Sequence, residues 1–206
     1  MGSDHFSYDR LEKPGVFIPG TFTVLFIDIV KFTKYGDNQA FKNAVRTLQN
    51  AIIDVFQPLE WDVAGPVTKN DAIMLPTGDG YGVAFETTVS DADILRYTAD
   101  ISTTLKEGGA PVRAGISKGP CLVYKDVNTR MNLTGWGIID AERAMSCGTK
   151  NHILCTEDFA KPFIQSRSDR NLHRLGKYFP KGRVLTLYNY FGKKFGNSSP
   201  PARPGK

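Results

Sequence analysis

Asp28 sits inside the apolar run Thr21 to Thr33 (TFTVLFIDIVKFT). Val24, Leu25, Phe26 and Ile27 precede it, and Ile29, Val30 and Phe32 follow. A short run rich in β-branched and aromatic residues reads as a buried strand. An ionised carboxylate inside such a strand is costly unless something compensates it. A divalent cation is a compensation that also does work; a Lys or Arg partner, or a capping role, is the structural alternative. Asp79 lies in Gly78-Asp79-Gly80, between the extended runs Asp71 to Thr77 and Tyr81 to Glu86, which is a strong hairpin pattern. If Asp28 ends a central strand and Asp79 tips the adjacent hairpin, a strand spacing of ~4.8 Å lets both carboxylates converge on one point. Two such carboxylates suit Mg²⁺ or Mn²⁺ carrying a phosphate, with the Ile29 carbonyl as a further ligand. Val30 to Thr33 leads to a helix start, where free N–H groups can hold phosphate oxygens. Phe26 flanks these residues, as a substrate contact or as core.

The elements that must hold these groups follow from periodicity. Residues 1–20 read as an irregular arm ending at Pro19-Gly20, and the first strand spans about Phe22 to Lys31. A helix runs from about Gln39 to Phe56, with Phe41, Ala44, Val45, Leu48, Ile52, Val55 and Phe56 on one face. After the hairpin, a second helix spans Ser90 to Lys106 and closes at Gly108-Gly109. Val112 to Ser117 is a strand, with Cys121 to Lys125 as its hairpin partner. A third helix covers Thr134 to Met145 and stops at Gly148. Short strands follow near His152 to Cys155 and Arg183 to Tyr190. The order predicts an α+β fold, a mostly antiparallel sheet with helices on one face.

Bulk properties exclude several classes. The chain has 206 residues, 41% of them hydrophobic, enough for one domain with its own core. No apolar run reaches the ~20 residues of a membrane span, and the N-terminus has no apolar leader segment. Three cysteines without CxxC spacing argue against a disulfide framework or zinc site and fit the cytoplasm. His5, His152 and His173 stand apart, as surface or capping residues. Of the net charge of +5, four positive charges (Lys193, Lys194, Arg203, Lys206) fall in 193–206, which holds no acid. The folded part is therefore near neutral and is not a nucleic-acid surface. The basic tail reads as disordered.

FIDIVKFT, then LPTGDGYGVAF, VRAGISKG and NLTGWGIIDAERAMSCG, resembles the class III nucleotide cyclases over about Thr21 to Tyr190. The resemblance implies a ferredoxin-like cyclase catalytic domain over 21–192. It implies that Asp28 and Asp79 bind two divalent cations and that Arg143 stabilises the transition state at the α-phosphate. Lys181, in FPKGRVLTLY, would hold the terminal phosphates, unless it is a solvated turn lysine. The reaction implied is attack of a ribose 3′-hydroxyl on the α-phosphate of a nucleoside triphosphate. The site would be shared across a homodimer, with the metal residues from one subunit and Arg143 from the other. The purine-reading positions depart from the family: Leu75 replaces a base-reading lysine, Asn132 the partner aspartate and Ile139 the ribose asparagine. Trp136 would narrow the base pocket, or else is a core tryptophan, and Asn132 can serve a pyrimidine edge. The whole is similar to the Pycsar pyrimidine cyclases of antiphage defence, nearest to the uridylate cyclases that make cyclic UMP from UTP. A cytidylate cyclase, a purine cyclase with an atypical pocket, and a cyclase-like domain that merely binds nucleotide are the alternatives.

Overall fold

The computed structural model describes residues 11, 15–31, 38–57, 61–62, 72–86 and 88–201. Thr33 and the turn before the first helix lie outside them. The elements, in order, are β1 (Phe17–Ile29), α1 (Asn38–Phe56), β2 (Trp61–Asp62), β3 (Ala72–Pro76) and β4 (Gly80–Phe85). They continue with α2 (Asp91–Glu107), β5 (Val112–Lys125), β6 (Met131–Gly135), α3 (Trp136–Cys147) and β7 (Ile153–Thr156). The chain closes with α4 (Glu157–Ser166), β8 (Leu172–Tyr178), a 3-10 turn (Pro180–Gly182) and β9 (Leu185–Tyr190).

The strands among the described residues form one sheet in the order β2-β3-β4-β1-β5-β7-β9-β8, with β6 paired to β5. Pairing is antiparallel except between β2 and β3 and between β5 and β7. β1 is the centre, flanked by β4 and β5. Strand alternation sends Leu25, Ile27 and Ile29 to one face, where α1, α2 and α4 cover them with Leu48, Ile52, Phe56, Ile94, Leu95 and Phe159. Phe22, Val24, Phe26 and Asp28 point to the other face.

That second face corrects the expectation of helices on one side: α3 lies there, with Ala141 in the cluster of Phe22, Val24, Cys121 and Leu133. Its Ala144 and Cys147 pack on Leu154, Leu185 and Leu187. α3 comes so close to β5 that a side chain at Gly115 would overlap the Ala141 carbonyl and the Met145 amide.

Four boundaries differ from the sequence reading. β1 begins at Phe17, not Phe22, because the long β5 continues to pair with it, Phe17 opposite Tyr124, their rings 5.0 Å apart. Gly119-Pro120 does not turn: β5 runs through it, and its hairpin partner is β6, joined by a turn in which Asp126 Oδ1 accepts the Asn128 and Arg130 amides. α4 and β8 were not anticipated. The tail is not disordered through Pro201. Asn189 Nδ2 donates to the Asn197 carbonyl (2.7 Å), Asn197 Nδ2 to the Lys150 carbonyl (3.0 Å) and the Tyr178 hydroxyl to the Pro201 carbonyl (3.2 Å). His152 is buried. Its Nδ1 accepts the Thr149 amide, so Nε2 carries the proton and donates to the Ser199 carbonyl at 2.6 Å.

Gly115→Ala should cost about 2–3 kcal/mol through overpacking at the α3–β5 contact. Urea denaturation checks it; a stability equal to wild type would mean that α3 does not seat on β5 as described.

Candidate active site

The site begins at the end of β1. Asp28 is opposite Gly80 on β4 and opposite Arg113 on β5. A Cβ on Gly80 would overlap the Ile27 carbonyl and stand 2.9 Å from Asp28 Cα and Cβ. The absent side chain thus lets the hairpin tip close on β1, and the Ile29 amide donates to the Asp79 carbonyl at 3.0 Å. Gly78 holds the turn at φ 92°, where other residues are strained. The backbones at Asp28 and Asp79 are therefore brought to the same end of the sheet.

Asp28 is buried, yet Arg113 accounts for both of its oxygens. Arg113 Nε donates to Oδ1 and Nη2 to Oδ2, each at 2.9 Å. The basic partner weighed as the structural alternative is thus present, and Asp79 is near enough for its charge to act on the same guanidinium. The Arg113 guanidinium is held above its usual pKa, first by the Asp28 hydrogen bond and also by the charges of Asp79 and Glu142. Arg113 was missed as a site residue, although an arginine alternating with apolar residues in VRAGIS pointed to a polar partner on the neighbouring strand.

The donor set fits a hard cation. Two carboxylates and the Ile29 carbonyl are all oxygen, and among the described residues no cluster of three His, Cys, Asp or Glu could hold a metal alone. Mg²⁺ and Mn²⁺ commonly use one or two carboxylates and complete their shells with substrate phosphate.

α3 carries the second group of candidates. Its N-cap, Gly135, has no side chain, and the Cys121 sulfur lies so close to Gly137 that a Cβ there would stand 2.7 Å from it. Ala141 and Ala144 face the sheet, so Arg143, 200° around the helix from Ala141, faces outward. Among the described residues its guanidinium pairs with no acid, so the ion pair weighed as its alternative is not found there. Lys181 is paired, its Nζ 3.0 and 3.3 Å from the Glu142 carboxylate oxygens. Trp136 is half exposed, not a core residue, and the Arg183 guanidinium stacks 4.1 Å over its ring. Arg183 Nη2 also donates to Asp140 Oδ2 at 2.8 Å, while Nε sits 2.6 Å from Oδ1, off the hydrogen-bond line.

The base-reading candidates are only partly assembled. Phe26, Leu75 and Ile138 pack around one cluster, with the Phe26 ring against Gly82. Asn132 alternates with Met131 and Leu133, which belong to that cluster, so it stands on the opposite face of β6, its Oδ1 taking the Leu133 amide.

No family model matches the chain. Guanylate cyclase beta of Plasmodium berghei is 24% identical over 161 residues, 72% of this chain but 5% of that protein, so this chain spans a small part of that relative. The adenylyl cyclase CyaB from P. aeruginosa superposes with a TM-score of 0.68 at 18% identity, over 88% of this chain and 100% of that one. The fold is that of a nucleotide cyclase catalytic domain. The guanylate cyclase domain of RhGC from Catenaria anguillulae, solved in complex with GTP, matches this cyclase fold with a TM-score of 0.66 at 19% identity, covering 84% and 97% of the two chains. Among the described residues no helix is long and apolar enough to cross a membrane.

Two measurements test this geometry. Arg113→Met leaves the buried Asp28 carboxylate without its fork and should cost about 1–3 kcal/mol in chemical denaturation; an unchanged midpoint would mean the fork does not form. Burial, with a smaller contribution from the Glu142 charge, pushes the Cys147 thiol up to about 11. An unfolded thiol ionises near ~8.5. The stability linked to Cys147 is therefore complete below that pH and is lost as pH rises toward 11. Denaturation between pH 8 and 11 should show a fall that is shallower in Cys147→Ala.

Proposed function

We propose that this chain is a nucleotide cyclase that closes a ribose 3′-hydroxyl onto the α-phosphate of a nucleoside triphosphate and releases diphosphate. The observation that carries the reading is the apposition of Asp28 and Asp79 at the Gly80 contact, on a cyclase fold whose α3 presents Arg143 unpaired among the described residues. Asp28, Asp79 and the Ile29 carbonyl would hold the divalent cations. Two bound cations lower the pKa of an attacking hydroxyl and neutralise a triphosphate. Arg113 holds the Asp28 carboxylate in place through its two-pronged hydrogen bond. Arg143 offers several donors to the charge that grows on the α-phosphate, and Lys181 offers its ammonium to the terminal phosphates.

Arg143 faces away from its own sheet, while Asp28 lies on it. That arrangement favours a homodimer in which the partner's Arg143 completes each site. Lys181 travels with Arg143, because the 3-10 turn is tied to α3 by the Glu142 and Asp140 ion pairs.

The substrate we favour is UTP, giving 3′,5′-cyclic UMP as a messenger in antiviral defence. Its support is the motif resemblance to the Pycsar cyclases, with Leu75 and Asn132 where adenylate cyclases carry a base-reading lysine and its partner aspartate. CTP is the nearest variant. A guanylate or adenylate cyclase with an atypical pocket is the second reading, favoured by the guanylate cyclase relative and the GTP-bound neighbour.

Incubation with each of the four triphosphates and Mn²⁺, with products resolved by mass spectrometry, decides among them. Cyclic UMP is expected, cyclic GMP or AMP would support the second reading, and no product would leave a nucleotide-binding domain. Asp79→Ala should abolish turnover with an unchanged circular dichroism spectrum; turnover at the wild-type rate would sink the metal assignment.

A further inference from the structure

We propose that Glu142 is an internal competitor for Lys181 and thereby sets how tightly the site holds a phosphate chain. The inference rests on the reading of Lys181 as the residue that meets the terminal phosphates. Glu142 is the residue immediately before Arg143, and both of its carboxylate oxygens lie within 3.3 Å of Lys181 Nζ. The two side chains are 64% and 36% exposed, and a pair this open contributes little to the stability of a fold. It is correspondingly easy to exchange. Glu142 also lies within the electrostatic reach of Arg113, together with Asp28 and Asp79.

Two of the cations thus have a carboxylate of their own, Arg113 with Asp28 and Lys181 with Glu142, whereas Arg143 pairs with no acid among the described residues. A diphosphate or triphosphate anion that engages Lys181 must either displace Glu142 or share the ammonium with a carboxylate of the same sign as itself. Once displaced, the Glu142 carboxylate has lost its cation and faces an anion of the same sign. Both effects weaken the bound state of any ligand that carries a phosphate chain. They apply to the leaving diphosphate as much as to the substrate, so Glu142 recaptures Lys181 as diphosphate departs. The same logic makes Glu142 a residue that discriminates by charge and not by base.

Isothermal titration calorimetry of inorganic diphosphate with Mg²⁺ on the full chain tests this, using wild type, Glu142→Gln, Lys181→Met and the double variant, with thermal melts confirming that each is folded. Glu142→Gln should bind diphosphate about two- to tenfold more tightly than wild type. In the Lys181→Met background the same substitution should bring little or no gain. Equal or weaker binding by Glu142→Gln overturns the proposal, as does a gain of full size without Lys181, or no diphosphate binding by any variant. The cyclase reading fails separately. A wild-type chain that makes no cyclic nucleotide but follows the binding pattern supports the competition without the reaction. A chain that cyclises a triphosphate but shows no gain in Glu142→Gln loses the competition and keeps the reaction.

Discussion

The contact on which the rest of the molecule depends is the approach of the β4 backbone to β1 at Gly80. A methyl group there would overlap the Ile27 carbonyl. With hydrogen in its place, the hairpin tip closes until the Ile29 amide reaches the Asp79 carbonyl. Two residues 51 positions apart in the chain then share one end of the sheet. β5 supplies the third member from the other side, because the antiparallel register that sets Gly80 against Asp28 also sets Arg113 against it. A one-residue slip of either strand would send one of these side chains to the opposite face. The apolar odd-numbered residues of β1, buried under α1 and α2, fix that register through the core.

α3 is the counterpart on the other layer. It lies close on β5 at Gly115, begins beside the Cys121 sulfur at Gly137, and carries Arg143 outward. Two ion pairs, Asp140 with Arg183 and Glu142 with Lys181, bind the 3-10 turn to this helix. The first is buried on its acidic side and stacked on Trp136; the second is open to water. The turn therefore has a fixed post and an exchangeable one, and a phosphate-bearing ligand can reach the exchangeable post without dislodging the other.

Much of this was legible in the sequence because it is local. The run around Asp28 has the period and length of a strand, Gly78-Asp79-Gly80 has hairpin chemistry, and Ser90 and Gly108 mark the ends of α2. What was missed is what depends on pairing. Gly119-Pro120 looks like a turn in isolation, but β1 holds β5 straight on one side through the Thr21–Pro120 and Phe22–Gly119 pairs. Arg113 is one more charged residue until its strand is set beside Asp28. α4 carries Pro162 inside it, which hides a helix from a reading by breakers. The composition of the tail suggested disorder, while its contacts depend on Asn189, His152 and Tyr178, which no local pattern connects to it. The same limit applies to the base-reading candidates: the family resemblance paired Leu75 with Asn132, but strand alternation turns Asn132 away from the cluster that holds Leu75.

The ordered end of the chain also has a mechanical meaning. Pro201 is buried, and its carbonyl is held by Tyr178, two residues before the turn that bears Lys181. Asn197 and Ser199 fasten the same strap to Lys150 and His152, close behind the last turn of α3. Tension applied at residue 201 is thus delivered to both supports of the turn that bears Lys181 before it reaches the central strands.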